Sequence, residues 1–104
     1  MARILLIEDS PTESAVMSQL LERNGHVVIT SGSAEDGIET CRRERPDLVL
    51  MDVVLPGMNG FQATAAIRQI EDKHGGHVPI IAMTANALKG DREQCIAAGM
   101  DDYV

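Results

Sequence analysis

Blocks of apolar residues alternate with stretches of helical spacing. Ile4, Leu5, Leu6 and Ile7 form a short continuous apolar run, the pattern of a strand covered on both faces. Asp9-Ser10-Pro11 follows, where Ser10 or Asp9 can cap a helix that starts on the proline. Val16, Met17, Leu20 and Leu21 recur at helical spacing, and Asn24-Gly25 closes the segment. Residues 26–30 read as a second strand. A second helix opens at Ser33, with Ala34, Ile38 and Cys41 on one side, and ends at Pro46. Residues 47–52 are a third strand that closes on Asp52, and residues 56–60 a loop. An alanine-rich helix spans 61–70, a glycine loop 74–77 and a fourth strand 78–83. A further helix over 86–98 ends at Gly99, and 101–104 begins a fifth strand.

This order, strand and helix in strict alternation, predicts a parallel sheet with helices on both faces. The expected class is α/β, a flavodoxin-like doubly wound sheet with strand order 2-1-3-4-5. The 104 residues suit a single domain. The opening apolar run is too short for a secretory leader and meets Glu8 and Asp9 at once. No stretch approaches the ~18 apolar residues of a membrane span, so a cytoplasmic protein without membrane contact is expected. Cys41 and Cys95 do not make a disulfide framework and read as buried thiols. A net charge of −7 argues against a nucleic-acid surface. His74 and His77 read as a solvated loop, the methionines as packing, and Arg42-Arg43-Glu44-Arg45 as a helix end.

In a doubly wound sheet, ligands gather beyond the carboxyl ends of the strands. Glu8 and Asp9 end strand 1, Asp52 ends strand 3, and Thr84 follows strand 4. Strands 1 and 3 are neighbours in this order, so three carboxylates converge. Carboxylates this close raise one another's pKa and call for a cation or a proton. A hard divalent ion with oxygen ligands, Mg²⁺, suits them and prepares Asp52 as a nucleophile toward phosphorus.

The matching stretches then define a resemblance. They are Ile4-Leu5-Leu6-Ile7-Glu8-Asp9, Asp47-Leu48-Val49-Leu50-Met51-Asp52 and Leu55-Pro56-Gly57-Met58-Asn59-Gly60. Pro79-Ile80-Ile81-Ala82-Met83-Thr84-Ala85 and Ala98-Gly99-Met100-Asp101-Asp102-Tyr103 complete them. The chain resembles the receiver domains of response regulators and hybrid sensor kinases in two-component signalling. Its early segments are similar to stand-alone receivers of pilus motility, and its later ones to receivers attached to hybrid kinases. The resemblance implies that Asp52 is the phosphoacceptor and that Glu8, Asp9, Asp52 and the backbone carbonyl of Val54 hold Mg²⁺. It further implies that Thr84 contacts the phosphoryl group and that Tyr103 is an aromatic switch. Pro56 and Gly57 would shape the loop after Asp52, and Val54 and Asn86 would tune phosphoryl lifetime. The implied partners are a histidine kinase or a histidine phosphotransfer domain, with any output domain outside this chain.

The family lysine that follows the aromatic position by three residues has no counterpart, because the sequence stops at Val104. The expectation is a receiver truncated before the end of strand 5, without its last helix. Apolar surface exposed by the cut would favour dimers. A signalling domain that phosphorylates and dephosphorylates itself, not a turnover enzyme, is the resulting reading. The rival is a phosphorylation-independent docking or dimerisation module on the same fold. A dehalogenase-type phosphatase needs a second acid where Val54 stands, and a flavin loop does not tolerate Glu8-Asp9 beside phosphate.

Overall fold

The structure, a computed structural model, describes residues 2–53, 55, 57–83, 93 and 95–103. Its elements are β1 (Arg3–Ile7), α1 (Pro11–Arg23), β2 (Val27–Ser31), α2 (Ala34–Glu44), β3 (Leu48–Asp52), α3 (Gly60–His74), β4 (Ile80–Met83) and β5 (Asp102–Tyr103). The strands form one parallel sheet in the order β2-β1-β3-β4-β5, as the alternating pattern predicts. Glu93 and residues 95–97 are helical and belong to the helix expected over 86–98. Val54, Pro56, Thr84, Asn86 and Val104 lie outside the described residues.

Each described helix start has its own chemistry. The Ser10 hydroxyl accepts from the Glu13 N–H with Pro11 next in line, and the Ser33 hydroxyl accepts from the Asp36 N–H. Asn59 and Gln62 cap α3 reciprocally, each side chain bonding the other's backbone N–H. That box moves the start of α3 to Gly60, and the helix runs to His74, longer than the 61–70 expected. His74 is therefore the last residue of a helix and not part of a loop.

The centre of the sheet is dry. Ile4, Leu5, Leu6 and Ile7 are all at most 2% exposed, which explains the unbroken apolar run. On one face Leu5, Ile7, Val49, Met51, Ile80 and Ala82 pack with Ala34, Cys41, Ala63, Ile67 and Cys95. On the other face Ile4, Leu6 and Leu50 meet Met17 and Leu21 of α1. Val16 and Leu20, in the same helix, are 62% and 54% exposed. Both cysteines are buried thiols outside any disulfide, as expected, and burial pushes the Cys41 thiol up. β2 begins one residue later than expected, because the His26 N–H turns back to the Leu21 carbonyl of α1, while its Nδ1 accepts from the Ala2 N–H.

A polar clamp ties α3 to the edge of the sheet. Arg68 donates to the carbonyls of Gly99 and Val78 and to the carboxylates of Glu71 and Asp101. Asp101 also contacts His77 at 2.7 Å and accepts from the Ile80 N–H. His77 is exposed, as a loop histidine should be, but it is engaged. Burial raises the Asp101 pKa, yet the His77 contact, the Ile80 N–H and the Arg68 charge outweigh it and hold the carboxyl below its ordinary value of 3.8. A depressed carboxyl contributes stability that is present above its unfolded pKa and lost as pH falls through the folded one. Asp101→Asn should therefore destabilise the protein at neutral pH, with the gap to wild type closing in acid. Urea melts across that range will show the convergence. A gap that stays constant into acid would refute the role.

Candidate functional site

Strand register assembles the acids. Ile7 pairs with Met51, so Glu8 and Asp52 emerge side by side at the carboxyl ends of β1 and β3. The Glu8 N–H donates to the Ser31 carbonyl at 3.0 Å and extends the ladder with β2 one step, which fixes the Glu8 backbone. Asp52 pairs with Met83 of β4. The Val53 N–H reaches the Met83 carbonyl at 3.3 Å, and the Gly60 N–H reaches the Val53 carbonyl at 3.1 Å. The turn after Asp52 is thus pinned from two sides.

Carboxylate oxygens of Glu8, Asp9 and Asp52 lie within 4.8 Å of one another. Glu8 is buried, Asp52 half-buried and Asp9 exposed, so the cluster opens to solvent through Asp9. Burial pushes the Glu8 carboxyl above its ordinary value of 4.5, and the neighbouring Asp52 carboxyl pushes it the same way. Hydrogen bonds from the Ser10 N–H and with Glu13 act in the opposite sense but do not prevail. Glu13 is itself raised by its contact with Glu8.

Glu13 is the acid that sequence reading did not place at the site. Its signal was present in the Ser10-to-Glu13 spacing of a capping box. The Ser10 half of that box forms, while the Glu13 side chain reaches Glu8. Tyr103 sits in β5 opposite Ala82 of β4. Thr84 follows Met83 directly in sequence, and it and Val54 fall outside the described residues. The donor set is all oxygen and crowded, which fits a small hard dication with part of its hydration shell kept.

The family model for the response regulator receiver domain matches residues 4–104. The protein PilH of Pseudomonas aeruginosa is 40% identical over 100% of this chain, which spans 84% of PilH. The sensor histidine kinase GacS of Pseudomonas protegens is 39% identical over 98% of the chain, but the match covers only 11% of GacS. Among solved structures, the receiver domain of sensor histidine kinase PA1611 from Pseudomonas aeruginosa superposes with a TM-score of 0.87 at 44% identity, covering 99% of this chain and 83% of that one. That structure carries a magnesium ion coordinated in its active-site cleft. The chain belongs to the response regulator receiver domain family of two-component signalling.

Proposed function

We propose that this receiver takes a phosphoryl group onto Asp52 from a phosphohistidine of a histidine kinase or phosphotransfer domain. The observation that carries the proposal is the meeting of the Glu8, Asp9 and Asp52 carboxylates within 4.8 Å at the carboxyl ends of two central strands. An Asp52 oxygen attacks phosphorus as the P–N bond of the donor breaks, and the electron pair returns to the donor imidazole, which takes up a proton. Glu8, Asp9, Asp52 and the Val54 carbonyl would hold Mg²⁺. When bound, that ion offsets the negative charge of the acids and of the incoming phosphoryl oxygens. Thr84, next after β4, would hydrogen-bond the phosphoryl group, and Tyr103 of the neighbouring strand would follow it. The role is that of a switch and not of a turnover enzyme. A cytoplasmic place agrees with a described portion that has no helix long and apolar enough to cross a membrane.

The test is intact mass after incubation with Mg²⁺ and a small acyl phosphate. Wild type should gain one phosphoryl group, and Asp52→Asn should gain none. Equal gain in both would move the acceptor elsewhere.

Metal dependence should carry the signature of Glu8. Its folded pKa is raised, so without cation the stability from this group is present at low pH and is lost as pH rises through the folded value. A dication binds the ionised form and reverses that trend. The rise in melting temperature on adding Mg²⁺ should be largest near neutrality and shrink as pH falls toward the ordinary carboxylate value of 4.5. A pH-independent rise would rule Glu8 out of the metal site, and chelator should abolish the rise altogether.

A further inference from the structure

The α2 helix ends on Arg45, whose φ of 48° lies in the left-handed region. Among the described residues it is the only non-glycine there, at a capping position where glycine is the relaxed choice. Arg42 and Arg43 already supply positive charge to the last turn of α2, so the helix does not need a third cation.

The Arg45 side chain borders a groove of about 610 Å³ between the carboxyl-terminal ends of α2 and α3. This volume is within the range of small-molecule sites. The groove lies at the amino-terminal ends of β3 and β4, whereas the acids lie at carboxyl-terminal strand ends. Asp47, on its wall, precedes β3, whereas Asp52 ends that strand, a rise of roughly 16 Å.

Ile38, Ile67, Ile70 and Val78 are apolar members of its lining, much of which is polar. The two acids on the wall are occupied within the fold. Glu71 accepts from Arg68 and from the Val78 N–H, and Asp47 accepts from the Arg3 N–H. Arg42 pairs with Glu39. Among the described residues, no ion pair or side-chain hydrogen bond engages the Arg45 guanidinium. An apolar patch beside a cation with no internal partner is complementary to one kind of ligand.

We infer that this groove binds a small amphipathic anion, its apolar body on the isoleucines and its carboxylate paired with Arg45. The fork of the guanidinium matches a carboxylate in two parallel hydrogen bonds. His74, in the last turn of α3, lies across the groove as a second donor. The site is independent of the phosphoacceptor reading.

The probe is naphthoate, with naphthalenemethanol as its neutral match, titrated into isotope-labelled protein and followed by amide NMR. Naphthoate should give saturable shifts confined to residues 41–47 and 74–79. The alcohol should bind about tenfold more weakly, the worth of one charge-assisted contact. Arg45→Gly is the decisive variant, since glycine suits the left-handed backbone and the fold should be at least as stable while naphthoate binding drops about tenfold. Shifts scattered over the protein or centred on Asp52, equal binding of acid and alcohol, or unchanged binding in Arg45→Gly would each overturn the inference.

Discussion

Replacing Gly60 with alanine will cost the fold about 3 kcal/mol and will displace the backbone of Asp52. A Cβ at Gly60 would lie 2.5 Å from the Asp52 carbonyl oxygen and 2.9 Å from the Val53 Cα. Both are backbone atoms and cannot swing aside as a side chain would. The Gly60 N–H is bonded to the Val53 carbonyl, and the helix behind it is locked by the Asn59–Gln62 box. Either α3 retreats from the sheet or the turn after β3 shifts, and both routes move the proposed acceptor. Gly32→Ala is the control, because a Cβ there meets nothing within 4 Å. Urea unfolding should separate the two variants, and the folded fraction of Gly60→Ala should take up phosphoryl groups more slowly. Matching midpoints for Gly60→Ala and Gly32→Ala would sink the steric argument.

The second large effect is expected at Arg68. Its four partners join α3, the approach to β4 and the approach to β5. Arg68 is only 17% exposed, so the carbonyls and carboxylates it serves would lose a partner that water replaces poorly. Arg68→Met should lower stability by about 2–3 kcal/mol, with the partial exposure of Asp101 keeping the loss below that of a fully buried pair. Hydrogen exchange at Ile80 and Asp101 should accelerate more than at Leu5 or Val49. Arg68→Lys should recover little, because an ammonium cannot span four acceptors in the guanidinium plane. Full recovery with lysine would reduce the clamp to simple charge.

The architecture was largely legible because β1 and β3 are buried on both faces. Nothing but an unbroken apolar run can fill that place, so Ile4 to Ile7 and Leu48 to Met51 announce themselves. Strand and helix ends were less legible, since they depend on competing local bonds. Val78 and Pro79 look like strand, but the Val78 N–H goes to Glu71 and Pro79 has no N–H to give; only its carbonyl, which accepts from the Val49 N–H, joins the ladder, so β4 starts at Ile80. In α1 the apolar residues form two stripes, Val16 with Leu20 and Met17 with Leu21. Periodicity cannot say which stripe turns inward, and only the second does. At the site, Glu8, Asp9 and Asp52 were legible once the strand order was set, because each follows or ends a strand. Glu13 was not, since its reach toward Glu8 depends on the turn between β1 and α1. The clamp of Arg68, Glu71, His77 and Asp101 was also hidden, as its members are up to 33 residues apart in sequence.

The central place of β1 has a consequence for how the chain is made. The first strand of this domain to leave the ribosome is buried on both faces, between β2 and β3. Ile4 waits for Val28 on one side and for Leu48 on the other. At roughly 5–20 residues per second, its second neighbour is synthesised some seconds later. Through that interval an apolar, unpaired strand is exposed to other nascent chains, and such contacts are formed slowly because of their separation. Translation speed between β1 and β3 should therefore govern how much of this receiver aggregates before it closes.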